Sequence, residues 1–450
     1  MPVRVAIIGA GPSGFYAAEA LLKSDCDCSI DMIESLPSPY GLIRFGVAPD
    51  HEKTKNVTRA YERTLRNEQV AYYGNVTIGR DLSLEELRAL YDAVVVAIGA
   101  PVDRPLGIPG DDKKGVLGAA AFVGWYNGHP DFVDLDPNLE TASVAIIGNG
   151  NVALDVARIL AKTPEELAKT DLPDYAAEAI RRAPITDIHI LGRRGPVEAK
   201  WTNVELREMG TLADAYPLLD AAQLPEAVEG DWSDRDRRLR EKNLATLRGF
   251  LDLAPGGRAK RVHFRFYAQP VEVLGADRAE RQVGALRLER TRVEGGRAQG
   301  TGETFEIPCG LVVASIGYRT DPIKGLPFDQ ARGVVVSDNG RVDAGLYVVG
   351  WAKRGPSGVI GSNKPDGDQV ARQIAEDFQE GRKAGRRGLE DLLSERRVAW
   401  VGFDDWKRIE AAEVAAAAPG APRKKLTRVS DMLAVLDRES QSRDNSEQTE

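Results

Sequence analysis

Long apolar runs are missing from this sequence of 450 residues. About 18 consecutive apolar residues would be needed for a membrane-spanning helix, and no such stretch occurs. Cysteine is scarce as well. Three residues make neither a disulfide framework nor a cluster site built on four thiolates. No Cys-x-x-Cys is present, and Cys26-Asp27-Cys28 has the wrong spacing for a dithiol relay and is expected between elements. No metal site is expected. A basic surplus is also lacking: 60 basic against 68 acidic side chains leave a net charge of −8, which argues against an extended nucleic-acid footprint. Arg4, an apolar run and Ala18-Glu19-Ala20 imitate a secretory signal, but Gly9, Gly11, Pro12 and Gly14 interrupt the run. The chain is therefore expected in the cytoplasm, where thiols stay free.

Glycine, by contrast, is abundant: 45 residues, one in ten, against a usual ~7%. Strand-like apolar runs at Arg4–Ile8, Ser29–Ile33, Ala93–Ile98, Ser143–Ile147, Asp187–Leu191, Leu311–Ile316 and Leu346–Val349 alternate with helical stretches. That order predicts an α/β protein with parallel sheets covered by helices on both faces. At about 150 residues per domain the length suggests three domains. Near the C-terminus, Ala415–Lys425 predicts a linker, Leu426–Leu436 a short helix, and the residues after Asp437 a frayed tail.

One large duplication carries the function. Gly9-Ala10-Gly11-Pro12-Ser13-Gly14 follows a strand and opens a helix, and Glu34 ends the next strand 20 residues after Gly14. This is the dinucleotide fingerprint. Gly9 allows the tight turn, Gly11 lets backbone approach a pyrophosphate, Gly14 lets helix and strand pack, and the helix N-terminus attracts the phosphates. A carboxylate at Glu34 accepts hydrogen bonds from ribose hydroxyls, so this site suits an unphosphorylated adenosine ribose. The second copy is Gly148-Asn149-Gly150-Asn151-Val152-Ala153, and its next strand ends in Gly192-Arg193-Arg194. Paired guanidiniums suit a 2′-phosphate. The interval from Ala153 to Arg193 is 40 residues, twice the usual one, and Thr163–Ala183 has the look of an insertion. Opposite ribose chemistry in the two copies points to FAD in the first and NADP(H) in the second. Hydride transfer from nicotinamide to flavin follows, with an external electron acceptor or oxygen. Two fingerprints require two Rossmann-like domains and leave too few residues for a third.

Four blocks now resemble a known family: Val5–Ala18, Tyr40–His51, Gly148–Arg158 and Gly350–Gly361. Together they look like the adrenodoxin reductase-type ferredoxin–NADP reductases, over about Val3 to Leu436. The resemblance implies a discontinuous FAD-binding domain, residues 1–102 and 320–450, with the NADP-binding domain, residues 103–319, inserted into it. By matching positions, Ser13, Glu34, Leu42, Ile78, Trp351, Gly358, Val359 and Ile360 would contact FAD. Asn149, Gly150, Asn151, Val152, Arg193, Arg194, Glu205 and Gly358 would contact NADP. His51 and Glu208 match residues thought to assist turnover. From the residues alone, His51 reads as an ordinary loop histidine, and Glu208, in the helical stretch Asn203–Met209, as a surface carboxylate. Trp351 reads as core packing, whereas its family position implies ring contact. The implied partner is a ferredoxin or similar acidic iron–sulfur protein. Asp231–Arg248, with six basic and four acidic residues and with Arg237, Arg238, Arg240 and Lys242 clustered, is either a solvated helix or its docking surface. Two other readings stay open: an FAD and NADPH monooxygenase, and a non-catalytic NADP(H)-binding redox sensor.

Overall fold

The computed structural model describes residues 1–277 and 279–437, so the tail expected after Asp437 lies outside the described residues. The chain forms two compact units. Of the described residues, the first holds Met1–Val102, Asn127–Pro130 and those from Gly317 to Asp437; the second holds Asp103–Tyr126 and those from Asp131 to Ile316.

In the first unit, continuous apolar runs become strands buried on both faces. Six strands lie in the order Arg341–Asp343, Leu346–Val348, Ala93–Val96, Val3–Ile8, Cys28–Ile33 and Val70–Tyr73. All neighbours are parallel except the edge hairpin. Alternate side chains of Val3–Ile8 point to opposite faces. Val3, Val5 and Ile7 pack with Phe15, Ala18 and Leu21 of the helix Pro12–Lys23 and with Ile374. Ala6 and Ile8 pack with Leu84, Leu87, Leu389 and Leu393.

The second unit repeats the plan. Its six parallel strands run Val116–Gly118, Leu311–Ala314, Ser143–Ile147, Asp187–Leu191, Lys260–Arg265 and Ala215–Leu219. The helix Asn151–Ala161 packs on the strand Asp187–Leu191. The stretch Thr163–Ala183 folds as two short helices, Pro164–Leu167 and Asp174–Arg182, which account for the doubled interval after the second fingerprint. A three-stranded antiparallel sheet, Ala268–Ala276, Ala279–Glu294 and Arg297–Pro308, shares a core with Ala145, Ile147, Leu191 and Val312.

Several expected bounds move. The strands expected to reach Ile98 and Ile316 close at Val96 and Ala314, because the chain leaves each sheet at its C-terminal edge; Ile316 is exposed. Cys28, expected between elements, opens the strand Cys28–Ile33 and is buried. The terminal helix spans 429–437, starting later than Leu426. No described helix is long and apolar enough to cross a membrane.

Candidate functional site

The first fingerprint turns where its residue types require. Gly9 has φ of +105°, and a Cβ there would stand 2.7 Å from the Ala97 carbonyl oxygen. A Cβ on Gly14 would stand 2.1 Å from the Gly9 carbonyl oxygen, so helix and strand meet only without a side chain. The helix Pro12–Lys23 starts at Gly11 with proline in its first turn and no side chain capping its amides. Its free N–H groups form a donor set suited to an anion. Gly41, at φ +49°, closes over this turn: a Cβ there would lie 3.0 Å from the Gly11 Cα. The Tyr40 N–H donates to the Ala10 carbonyl at 2.7 Å. Two glycine backbones therefore leave a cradle with no side chain in it, and that geometry fits a pyrophosphate.

Glu34 is fastened beside the same turn. Its Oε2 accepts from the Ala10 N–H at 2.8 Å, and its Oε1 accepts from Ser35 Oγ at 3.0 Å and the Leu36 N–H at 3.3 Å. A carboxylate has about four acceptor positions, so capacity for a ribose hydroxyl remains. Desolvation raises its pKa above the ordinary carboxylate range, against these hydrogen bonds.

The remaining flavin-site candidates all lie in the first unit. Ser13 is buried, and its Oγ donates to Asn363 Oδ1 at 3.1 Å. Ile78 packs against the cluster holding Ile8 and Ile33, the residues just before Gly9 and Glu34. Leu42 and Val359 are exposed large apolar side chains. Trp351 stacks on Tyr318 at 6.2 Å between ring centroids, and its Nε1 donates to the Ser357 carbonyl at 3.1 Å. Asn363 Nδ2 holds the carbonyl of Ile360, in the turn after Gly358. His51 precedes the helix Glu52–Lys55, and its N–H donates to the Ala48 carbonyl at 3.0 Å.

In the second unit, the helix Asn151–Ala161 likewise begins at a glycine, Gly150, without a side-chain cap, and a Cβ on Gly150 would meet nothing within 4 Å. An uncapped helix start with open space before it again fits a dinucleotide's phosphates. The asparagines hold the neighbouring loop. Asn151 Oδ1 accepts from the Thr202 N–H at 2.9 Å, the Asn149 carbonyl accepts from the Lys200 N–H at 2.9 Å, and the Asn149 side chain fills the space a Cβ on Gly192 would need. Val152 stands in the first turn of this helix. Arg193 is exposed, and Arg194 Nη1 donates to the Gly296 carbonyl at 3.3 Å. Among the described residues neither guanidinium forms an ion pair, so both keep donors for a phosphate.

Thr202 caps the helix Asn203–Glu208 through the Glu205 N–H. Glu208, at its end, lies 3.5 Å from Nη1 of Arg158, whose Nη2 holds Asp155 at 2.8 Å. Arg158 is 1% exposed. It belongs to the second fingerprint's own helix, so this guanidinium joins that helix to Glu208. Arg158 closes the block Gly148–Arg158, but sequence reasoning missed its role because its ion pair with Glu208 reaches outside that block. It missed Asn363 because its partner Ser13 lies 350 residues away.

The segment expected at Asp231–Arg248 forms the helix Asp234–Leu251, capped by Ser233. Several of its basic groups serve the fold. Arg237 donates to the carbonyls of Val228 and Gly230, Arg248 to those of Pro225 and Glu226, and Arg240 lies 3.7 Å over the Trp232 ring. Arg235, Arg238 and Lys242 are exposed, and their spacing places them on one stripe.

Two uncapped fingerprint helices on two parallel sheets, one followed by an acid and the other by paired arginines, define a pyridine-nucleotide-dependent oxidoreductase with two dinucleotide-binding folds. The sequence profile of the pyridine nucleotide-disulphide oxidoreductases matches residues 3–171. The chain is 41% identical over 453 residues to the NADPH-ferredoxin reductase FprA of Mycobacterium tuberculosis, with 96% of this chain and 99% of FprA covered. It is 40% identical over 460 residues to the mitochondrial NADPH:adrenodoxin oxidoreductase of Arabidopsis thaliana, covering 96% and 95% of the two chains. The solved structure of Mycobacterium tuberculosis FprA in complex with NADPH matches with a TM-score of 0.90 at 40% identity, over 97% of this chain and 99% of that one. The chain belongs to the family of NADPH-ferredoxin and NADPH:adrenodoxin reductases.

Proposed function

We propose that this chain oxidises NADPH and passes the electrons singly to a ferredoxin-like iron–sulfur protein. It is an oxidoreductase of the ferredoxin reductase type, with FAD and NADP(H) as cofactors. The observation that carries the reading is the pair of uncapped fingerprint helices with opposite ribose chemistry, Glu34 after one and Arg193-Arg194 after the other. FAD held by the first unit would supply the redox chemistry, that of hydride acceptance and single-electron release.

The chain's own residues bind, orient and shield. In the first unit, the amides at the start of Pro12–Lys23 hold the pyrophosphate and Glu34 orients the ribose. Leu42, Ile78, Trp351 and the turn Gly358–Ile360 shield the ring from water. In the second unit, Asn149–Val152 and Glu205 hold NADP, with Arg193 and Arg194 on its 2′-phosphate. Glu208 and His51 assist turnover, with Arg158 holding the Glu208 carboxylate. The stripe Arg235, Arg238 and Lys242 docks an acidic iron–sulfur protein, and electrostatic steering speeds its approach. All three cysteines are free thiols, which supports a cytoplasmic location.

The test is direct. NADPH is expected to bleach the bound flavin, and multiple turnovers are expected with one of the host's ferredoxins. Absence of turnover with every ferredoxin of the host would overturn the reading.

A further inference from the structure

Asn363 is used from both ends of its carboxamide. Its Oδ1 accepts from Ser13 Oγ at 3.1 Å and from Arg354 Nη2 at 2.8 Å, while its Nδ2 donates to the Ile360 carbonyl at 2.9 Å. The side chain is buried, at 6% exposure. Each partner belongs to a different part of the first unit. Ser13 stands in the first turn of the fingerprint helix, Arg354 ends the short helix that Trp351 begins, and Ile360 closes the turn that follows Gly358. One amide thus ties the phosphate end of the first fingerprint to both stretches assigned to the flavin ring.

The residue type matters. A carboxylate of the same shape has no donor for the Ile360 carbonyl, and alanine offers neither donor nor acceptor. Space is equally restricted. A Cβ on Gly350 would stand 1.9 Å from Ser13 Oγ and 3.3 Å from Asn363 Oδ1, so the chain passes this bond only as glycine. Behind it, buried Asp366 accepts from the Gly350 N–H at 3.3 Å and from Lys353 Nζ at 2.9 Å, which fixes the same turn from its other side.

We propose that Asn363 is a positioning residue of the flavin site. Its amide sets the spacing between Ser13 and the turn Gly358–Ile360, and so the distance between the place where the pyrophosphate is held and the place where the ring is held. The proposal rests on the reading of the first unit as the FAD site.

The test uses purified holoenzyme as wild type, Asn363→Ala, Asn363→Asp, Ser13→Ala and the double variant Ser13→Ala/Asn363→Ala. FAD release on dilution is followed by the gain in flavin fluorescence. Both Asn363 variants are expected to release FAD faster by roughly tenfold or more, the effect of a lost buried hydrogen bond. The double variant is expected to release it more slowly than the product of the two single effects predicts, since the two residues share one bond. The visible flavin bands and the flavin midpoint potential are expected to shift in Asn363→Asp, a readout that a general loss of stability does not move. If Asn363→Ala does not fold, Asn363→Asp and Ser13→Ala decide. Wild-type release and an unshifted spectrum in the Asn363 variants, or additive effects in the double variant, would overturn the positioning role. If the wild-type chain carries no flavin and takes up none from added FAD, the flavin reading of the unit falls instead.

Discussion

Glu34 Oε2 accepts the hydrogen bond of the Ala10 N–H at 2.8 Å, which fastens the acid at the end of one strand to the glycine turn at the end of its parallel neighbour. Desolvation pushes this carboxyl's pKa upward. A raised carboxyl pKa means that the group takes up its proton earlier as pH falls, and a protonated carboxyl is a poorer acceptor for a ribose hydroxyl. FAD release from the wild-type holoenzyme is expected to quicken as pH is lowered from 8 through that raised value. Glu34→Gln is expected to release FAD about tenfold faster at pH 8 and with no further response to pH. Fluorescence-monitored release across the range checks this, and a flat wild-type profile would count against the role of Glu34.

Arg193 and Arg194 follow the second fingerprint with no ion pair among the described residues. Replacing both with alanine is expected to raise KM for NADPH by roughly 10- to 100-fold, as lost charge-assisted hydrogen bonds to a 2′-phosphate would. KM for NADH should change little. Steady-state kinetics with both cofactors decide it: equal effects would show that these arginines do not read the phosphate.

The exposed stripe Arg235, Arg238 and Lys242 makes a prediction about salt. The rate of ferredoxin reduction is expected to fall steeply with ionic strength. Reversal of all three charges to glutamate should weaken that dependence and raise KM for ferredoxin, while the rate with ferricyanide stays unchanged. A salt-independent wild-type rate would remove this helix as the docking surface.

Arg44 and Glu413 form a bidentate pair at 3.0 and 2.5 Å, with side chains 4% and 0% exposed. Removal of one partner leaves a buried charge unpaired. Glu413→Ala is expected to lower the unfolding free energy by about 3–5 kcal/mol. The double variant Arg44→Met/Glu413→Leu should recover much of that loss. Urea unfolding of the three proteins measures it, and equal stability of single and double variants would contradict the pairing argument.

His189 is 5% exposed, and desolvation lowers its pKa from its ordinary 6.5 to about 3. A depressed histidine pKa means that the unfolded chain binds the proton first, so stability present above pH 6.5 is lost as pH falls toward 3. At pH 5 the loss from this residue is about 2 kcal/mol. His189→Gln should therefore lose less stability than wild type between pH 7 and pH 5. The change in urea midpoint across that interval is the measurement.

Much of the scaffold is legible in the amino-acid sequence. Ser143–Ile147 and Asp187–Leu191 fold with the expected bounds, because an apolar run covered on both faces has a local signature. The antiparallel sheet of Ala268–Pro308 had no such signature. Its strands carry alternating charges that pair across the sheet, Arg287 with Glu306 and Arg290 with Glu303, and its first pairing has register shifts from Pro270 onward. A search for continuous apolar runs passes over such strands. The stretch Asp231–Arg248 was legible as a charged helix, yet which of its arginines face solvent depended on where the carbonyls of Val228, Gly230, Pro225 and Glu226 came to lie.

By itself the sequence determined the two glycine turns, the acid after one and the arginines after the other, since each follows from the glycine spacing and from the residues that end the next strand of the same sheet. Only the tertiary structure decided what holds those turns in place. Ser13 meets Asn363 across 350 residues and Arg44 meets Glu413 across 369. Such bonds leave no periodicity in the chain, because a side-chain amide or an ion pair chooses its partner by distance in space.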